Sequence, residues 1–394
     1  MTTLTPVSIL YSIAIPLVLF FILTKISLLD KLMSLDSPGK YVYLDPVRGI
    51  AALLVFIHHS IMVYNQHTTG KFSPGGMFNY ESTFIGKIYV HFGQTSVMIF
   101  FMITGFLFFS KILSFDKPLN VRVFFSSRIK RLIPAMCSCF FLYALVCYTL
   151  RDQSNQSSFI DYLISWFSFG FIGLPKLSES IPGWSVTAGV FWTLVLEWKF
   201  YILIPFFSVF IIGKRTALIF FMVIVALILY LYSKSYYTEK DASIYLCFMA
   251  GFAISLFNNY CNRLPTTWIA SPLTSFLCII IYIYSFYYTY GSYNFTVTFA
   301  TCIFLTSVIF GNSFFGILKI KALHWAGKSS YSIYIMHALI MHIVFPVTAS
   351  SIGYYWSLFV AASFLCVLAL LNYIFVEKRY MHSNKYFTQT SIRG

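Results

Sequence analysis

The sequence predicts an all-α protein that crosses a membrane about eleven times, and three observations carry that expectation. Residues are 59% hydrophobic and only 10% charged, far from the balance of a soluble domain. Apolar runs near the roughly 20 residues needed to span a bilayer recur from one end of the chain to the other. The basic residues behind the net charge of +15 gather in short connections between alternate runs, as topogenic charges do. That distribution excludes a nucleic-acid partner, which would need a basic stripe on one folded surface.

The runs fall near 6–27, 46–64, 88–110, 131–150, 189–212, 216–232, 242–257, 271–289, 294–312, 331–347 and 353–376. The first lacks a basic n-region and an A-x-A cleavage site, so it reads as a retained helix. The second begins at Asp45-Pro46-Val47-Arg48-Gly49. Between the fourth and fifth, Tyr162 to Leu174 is too short and Gly-rich to cross and reads as re-entrant or interfacial. The irregular stretch Phe171 to Val190, with its Pro and Gly, follows as a loop suited to shaping a cleft. Lys111, Lys117, Arg122, Arg128, Lys130 and Arg131 crowd one connection; Lys214 with Arg215, Arg263, and Lys319, Lys321 and Lys328 mark later ones on the same side. Those loops are expected in the cytoplasm. Residues 151–188, 233–241, 290–293 and 348–352 then lie outside, as does the N-terminus, and the C-terminal tail is cytoplasmic. Three units result: an N-terminal helix (1–34), a membrane domain (35–380) and a tail (381–394). Cys137, Cys139, Cys147, Cys247, Cys261, Cys278, Cys302 and Cys366 lack CxxC spacing, so they read as packing residues and no metal is expected.

Ionisable groups inside spans are costly and mark functional sites. His58, His59, His91, Glu197, Lys199, His337, His342 and the closing Glu377-Lys378-Arg379 are of this kind, whereas His67, His324 and His382 read as loop residues. Arg48 and His59 stand out. Eleven steps of 100° return to within about 20°, so both share one helical face, roughly 16 Å apart. Asp45 is three residues before Arg48, close enough to pair with it, and a salt bridge anchoring the helix entrance is the plainer reading of that pair. His58 is rotated by about 80° from the Arg48 face. Tyr201 shares a face with Glu197, and Tyr334 and Ser330 share one with His337.

Leu44, Asp45, the run Arg48 to Val55 and His59 resemble the opening arginine, ten residues and histidine of the membrane-bound acyltransferase-3 family. Five more elements follow in that family's order. Gly93 to Leu107, GQTSVMIFFMITGFL, resembles its FF and SGFL segment, with Thr104 for serine. Arg128, Arg131, Leu132 and Pro134 resemble RxxRLxP, and Trp192-Thr193-Leu194, Glu197, Tyr201 and Pro205 resemble WSLxxExxxYxxxP. Gly327, Ser329 or Ser330, Tyr331, Ser332, Tyr334 and His337 resemble GxxSYSxYLxH, and Phe375 to Arg379 resembles the final FxxE-R/K.

The resemblance implies a ten-helix core, preceded here by one additional helix, in a bacterial inner membrane. It also implies O-acetyl transfer from cytoplasmic acetyl-CoA to a glycan or glycolipid hydroxyl, with lipopolysaccharide O-antigen the first choice by analogy. No fused extracytoplasmic hydrolase-like domain is expected. Within that reading His59 serves as general base or acyl relay, and Arg48 steers the thioester. Arg48, Arg128, Lys130 and Arg131 meet the CoA phosphates, although the last three also read as a topogenic loop. Glu197 orients His59, places the acceptor or only holds a helix partner, and His337 is a second site residue. Asp45, Trp192, Tyr201 and Tyr334 are expected to contact substrate, with interfacial anchoring the plainer reading of Trp192. The rival classes are a transporter or flippase of a lipid-linked sugar, which an inverted repeat would favour and none is visible, and a non-catalytic scaffold.

Overall fold

A computed structural model describes residues 6–34, 41–74, 83–115, 117–152, 157–178, 181–260, 267–291 and 293–382. Cys261, Arg263 and the tail from 383 lie outside them. Fifteen α-helices are formed among the described residues: α1 (Pro6–Leu23), α2 (Ser27–Ser34), α3 (Leu44–Thr69), α4 (Phe84–Leu113), α5 (Val121–Leu150), α6 (Phe159–Phe167), α7 (Gly183–Val186), α8 (Phe191–Phe210), α9 (Lys214–Ser233), α10 (Glu239–Tyr260), α11 (Pro272–Tyr288), α12 (Phe295–Ile309), α13 (Lys321–Lys328), α14 (Ser330–Asn372) and α15 (Lys378–His382).

Seven of these are long and apolar enough to cross a bilayer, and the architecture is that of a polytopic membrane protein. The last two expected runs form one helix, α14, broken at Gly353, where φ 73° and ψ 178° admit little but glycine. α11 and α12 are shorter, at 17 and 15 residues. α1 turns by 90° into the short amphipathic α2. Three cations hold α2 down. Lys321 pairs with Asp30 at 2.6 Å, while Lys378 and Lys328 donate to the Leu32 and Met33 carbonyls at its C-terminal end, where unpaired acceptors and the helix dipole favour positive charge.

Three helices differ from expectation for identifiable reasons. α5 begins ten residues early because Asn120 caps it through Val123 N, so Arg128, Lys130 and Arg131 lie on a helix and not in a loop. α3 continues to Thr69 and closes on a left-handed Gly70, which carries His67 into the helix. α13 holds His324 in a short amphipathic helix that a search for apolar runs passes over.

α3 is the axis of the bundle, clasped by α4, α13 and α14, whereas α9 buries only Ala217 and Ile228 and turns the rest of its apolar surface outward, as a lipid-facing helix does. Without a hydrophobic drive between helices in lipid, small residues let backbones approach. A Cβ on Gly251 would lie 2.2 Å from the Met102 carbonyl oxygen, and one on Gly105 2.3 Å from that of Phe248, which locks α4 to α10. α6 docks on α5 through Trp166, whose indole donates to the Met136 carbonyl at 2.9 Å and stacks on Tyr143. At the other face of α5, Ser138 donates to Asn372, Asn372 to Ser332, and Ser332 to the buried Glu377, so the closing carboxylate is satisfied inside the bundle.

Candidate active site

Two cavities lie along α3 and share part of one wall. The first, about 240 Å³, sits at the end of the bundle where α3 starts, and is lined by Arg48, Lys111, Arg128 and Arg131 against one carboxylate, Glu197. Four cations facing one anion give it a net positive lining. Arg48 is held 3.6 Å from Asp45, and the Arg128 guanidinium lies over the Phe108 ring at 4.9 Å. Glu197 accepts the hydroxyl proton of Tyr201, one turn along α8. Ser330 lines the same cavity, fully buried, and its hydroxyl has no partner among the described residues, an unmet polar group of the sort a ligand satisfies.

The second cavity, about 190 Å³, is lined by His58, His59, Gln94, Trp192, Lys240 and Tyr293, with Ala188 to Val190 from the irregular loop. Val97, Thr193 and Tyr334 line both cavities. Thr193 gives its proton to the Val190 carbonyl at 2.8 Å, so the Tyr334 hydroxyl donates to Thr193 Oγ1, also at 2.8 Å. That bond is the partition between the two spaces.

His59 Nδ1 and His337 Nε2 are 2.9 Å apart, and the chain of bonds sets their tautomers. The Tyr334 carbonyl can only accept, so His337 Nδ1 carries the proton that reaches it at 2.8 Å. In the neutral pair His337 Nε2 is then an acceptor, and His59 Nδ1 must donate to it. What is left is His59 Nε2, a lone pair with no hydrogen-bond partner among the described residues, on a half-buried ring that lines the second cavity. His58 is fixed differently: its Nδ1 donates to the Tyr89 carbonyl at 2.9 Å, and a Cβ on Gly93 would lie 2.4 Å from its Cδ2. A second pair repeats the pattern further along α3 and α14. His342 Nε2 donates to the Ser185 carbonyl at 3.1 Å, and His67 Nε2 to His342 Nδ1 at 2.9 Å.

The structure thus gathers Arg48, Arg128, Arg131, Glu197 and Tyr201 in one cavity, and His59 and Trp192 in the other, with Tyr334 between. His337 stands behind His59. Three expected site residues are placed differently. Lys130, rotated by about 100° from Arg131 on α5, lines neither cavity. Asp45 is spent on Arg48 and lies outside both linings. Glu197 does not orient His59; it belongs to the cavity on the far side of the partition, and the ring that holds His59 is His337. Lys111, Gln94, Lys240 and Tyr293 were not singled out from sequence. Thr104, Leu107, Phe108 and Lys111 form one stripe at helical spacing along that wall, a signal the sequence did contain. Lys240, between Glu239 and Asp241, read only as part of the external connection 233–241.

A family model described as an acyltransferase domain (Acyl_transf_3) matches residues 41–375. Among curated proteins the chain is similar to "Putative peptidoglycan O-acetyltransferase YrhL" of Bacillus subtilis (strain 168), with 27% identity over 379 residues, covering 84% of this chain and 54% of that protein. The chain spans about half the length of the curated relative it matches. No solved structure matches it.

Proposed function

Since the chain belongs to the acyltransferase-3 family, we propose that it carries acetyl from acetyl-CoA in the first cavity to a glycan hydroxyl in the second. The observation that carries this reading is the open Nε2 of His59, held by His337 beside the partition of a strongly basic cavity. The acetyl-pantetheine arm enters the first cavity while Arg48, Arg128 and Arg131 draw the phosphates to its mouth. The loop charges support a cytoplasmic basic end and an external N-terminus, and membership of the family supports residence in a bacterial inner membrane.

Two routes use the same nitrogen. As a base, His59 Nε2 takes the acceptor hydroxyl proton while that oxygen bonds to the acetyl carbon; the C–S bond breaks and the thiolate receives the proton. As a carrier, Nε2 itself bonds to the acetyl carbon, the thiolate leaves, and the Nδ1 proton passes to His337; the acceptor oxygen then displaces the imidazole, His337 returns the proton to Nδ1, and the hydroxyl proton goes to the thiolate. Incubation with labelled acetyl-CoA and no acceptor separates them, because only a carrier retains label that hydroxylamine releases.

The acceptor is an envelope glycan. Because the Bacillus subtilis relative is named as a putative peptidoglycan O-acetyltransferase, peptidoglycan is the first acceptor to assay, with O-antigen second. Mass spectrometry of muropeptides and NMR of lipopolysaccharide, in cells with and without the gene, test this. Acetyl content that is unchanged in both fractions removes the acceptor assignment; purified protein in liposomes that releases no CoA in the presence of either glycan removes the transfer itself. Ser330→Ala should raise KM for acetyl-CoA about fivefold with kcat kept, the loss of roughly one hydrogen bond of uniform binding. Initial-rate kinetics would count against a donor contact if KM stayed at the wild-type value.

A further inference from the structure

We propose that the second cavity is built for an acceptor sugar bearing an anionic group, a carboxylate or a phosphate, which Lys240 binds while a neighbouring hydroxyl meets His59. The inference rests on the reading of that cavity as the acceptor site. Among the described residues that line it, Lys240 is the charged side chain and no carboxylate faces it. Its ammonium lies 5.1 Å from the Trp192 ring centroid and 5.3 Å from that of Tyr293, two rings set edge to face at 5.9 Å. No carboxylate lies within 4 Å of it among the described residues.

Both acidic neighbours on α10 are committed elsewhere. Glu239 accepts from Phe295 N at 3.2 Å, and Asp241 caps its own helix through Thr238 N at 3.1 Å and Thr238 Oγ1 at 2.6 Å. The rings hold the cation in place without neutralising it. Lys240 is solvent-exposed at the rim of the cavity, where water hydrates its charge; a neutral sugar needs only the aromatic wall and the amide of Gln94, whereas an anionic one gains an ion pair with a cation that the rings already orient. Gln94 and Tyr293 also line a wider outer groove of about 410 Å³ through which a sugar can enter; Glu239, which accepts from Phe295 N, lies on that groove and not on the inner cavity, so the anionic group is favoured only once it has passed inward to Lys240.

The test measures binding apart from transfer. Methyl glucuronide, glucose 6-phosphate and methyl glucoside are titrated against the full chain by saturation-transfer NMR, for wild type, Lys240→Gln and Lys240→Arg. Wild type should bind one of the anionic probes at least about tenfold more tightly than methyl glucoside at low salt, and the advantage should shrink at high salt. Lys240→Gln should lose that preference with methyl glucoside affinity kept, and Lys240→Arg should retain it. The better of the two anions identifies the group. Equal binding of all three probes by wild type overturns the proposal, as does an anion preference that survives in Lys240→Gln. Transfer from acetyl-CoA to the bound probe is scored separately: anion binding without any transfer leaves the subsite standing and removes the acceptor reading beneath it.

Discussion

His59→Ala is expected to lower acetyl transfer by about a thousandfold or more, since the substitution deletes the Nε2 proposed to accept the hydroxyl proton or the acetyl group. His337→Ala should cost less, on the order of 10- to 100-fold, because it removes the acceptor of His59 Nδ1 and lets the ring rotate and change tautomer, as loss of an orienting second residue does elsewhere. Asparagine at 337 offers a side-chain carbonyl to the same Nδ1 proton and should recover part of the loss, which no purely packing role of the ring would explain. His58→Ala serves as the internal comparison. His58 lines the same cavity and also keeps a lone pair on Nε2, but its ring is buried with that nitrogen against Gly93, and its removal should slow transfer less than that of His59. The measurement is CoA release coupled to acceptor acetylation in proteoliposomes at matched protein, with a melting curve for each variant. If His58→Ala proved the more damaging of the two at equal stability, the assignment of Nε2 would be wrong.

The pairing of Arg48 with His59 shows how far a sequence alone reaches. Helical geometry placed them on one face at about 16 Å, and both do look inward, yet they open into different cavities, because the partition made by Val97, Thr193 and Tyr334 comes from three other helices. The spans were legible because a bilayer leaves a chain few options: long apolar helices with charge at their ends. His337 was legible as a polar group in a span. Its contact with His59 was not, for it joins residues 278 apart in the chain and depends on how α14 packs against α3. The same holds for His67, which seemed to lie beyond an apolar run until the helix was seen to extend to Gly70. Lys240 was hidden for a different reason, since a lysine between two acids looks neutralised in sequence, whereas in space both acids turn to backbone donors.

Gly327→Ala is the substitution expected to do most harm to the fold. On helical propensity alone, alanine would favour α13 by up to about 1 kcal/mol. The tertiary contact reverses the sign. A Cβ at 327 would lie 1.9 Å from the Asp45 carbonyl oxygen and 2.3 Å from its carbon, and these are backbone atoms that cannot rotate away. Gly49 makes the reciprocal approach, its own Cβ position being 2.7 Å from Gly327 N and from the Leu323 carbonyl oxygen. α13 must therefore move off the start of α3, at a cost of about 3 kcal/mol or more, and Asp45 and Arg48 move with it. Gly70→Ala provides the contrast: φ is +74° there, but nothing lies within 4 Å of the added carbon, so only the strain of about 1 kcal/mol remains. In detergent, Gly327→Ala should melt well below Gly70→Ala and yield less monodisperse protein. Any fraction that survives should show a raised KM for acetyl-CoA, because Arg48 reaches the donor cavity from the very turn on which Gly327 rests. A Gly327→Ala protein that melted with the wild type would mean that α13 does not set the position of Arg48, and the donor cavity would have to be held together by α4, α5 and α8 alone.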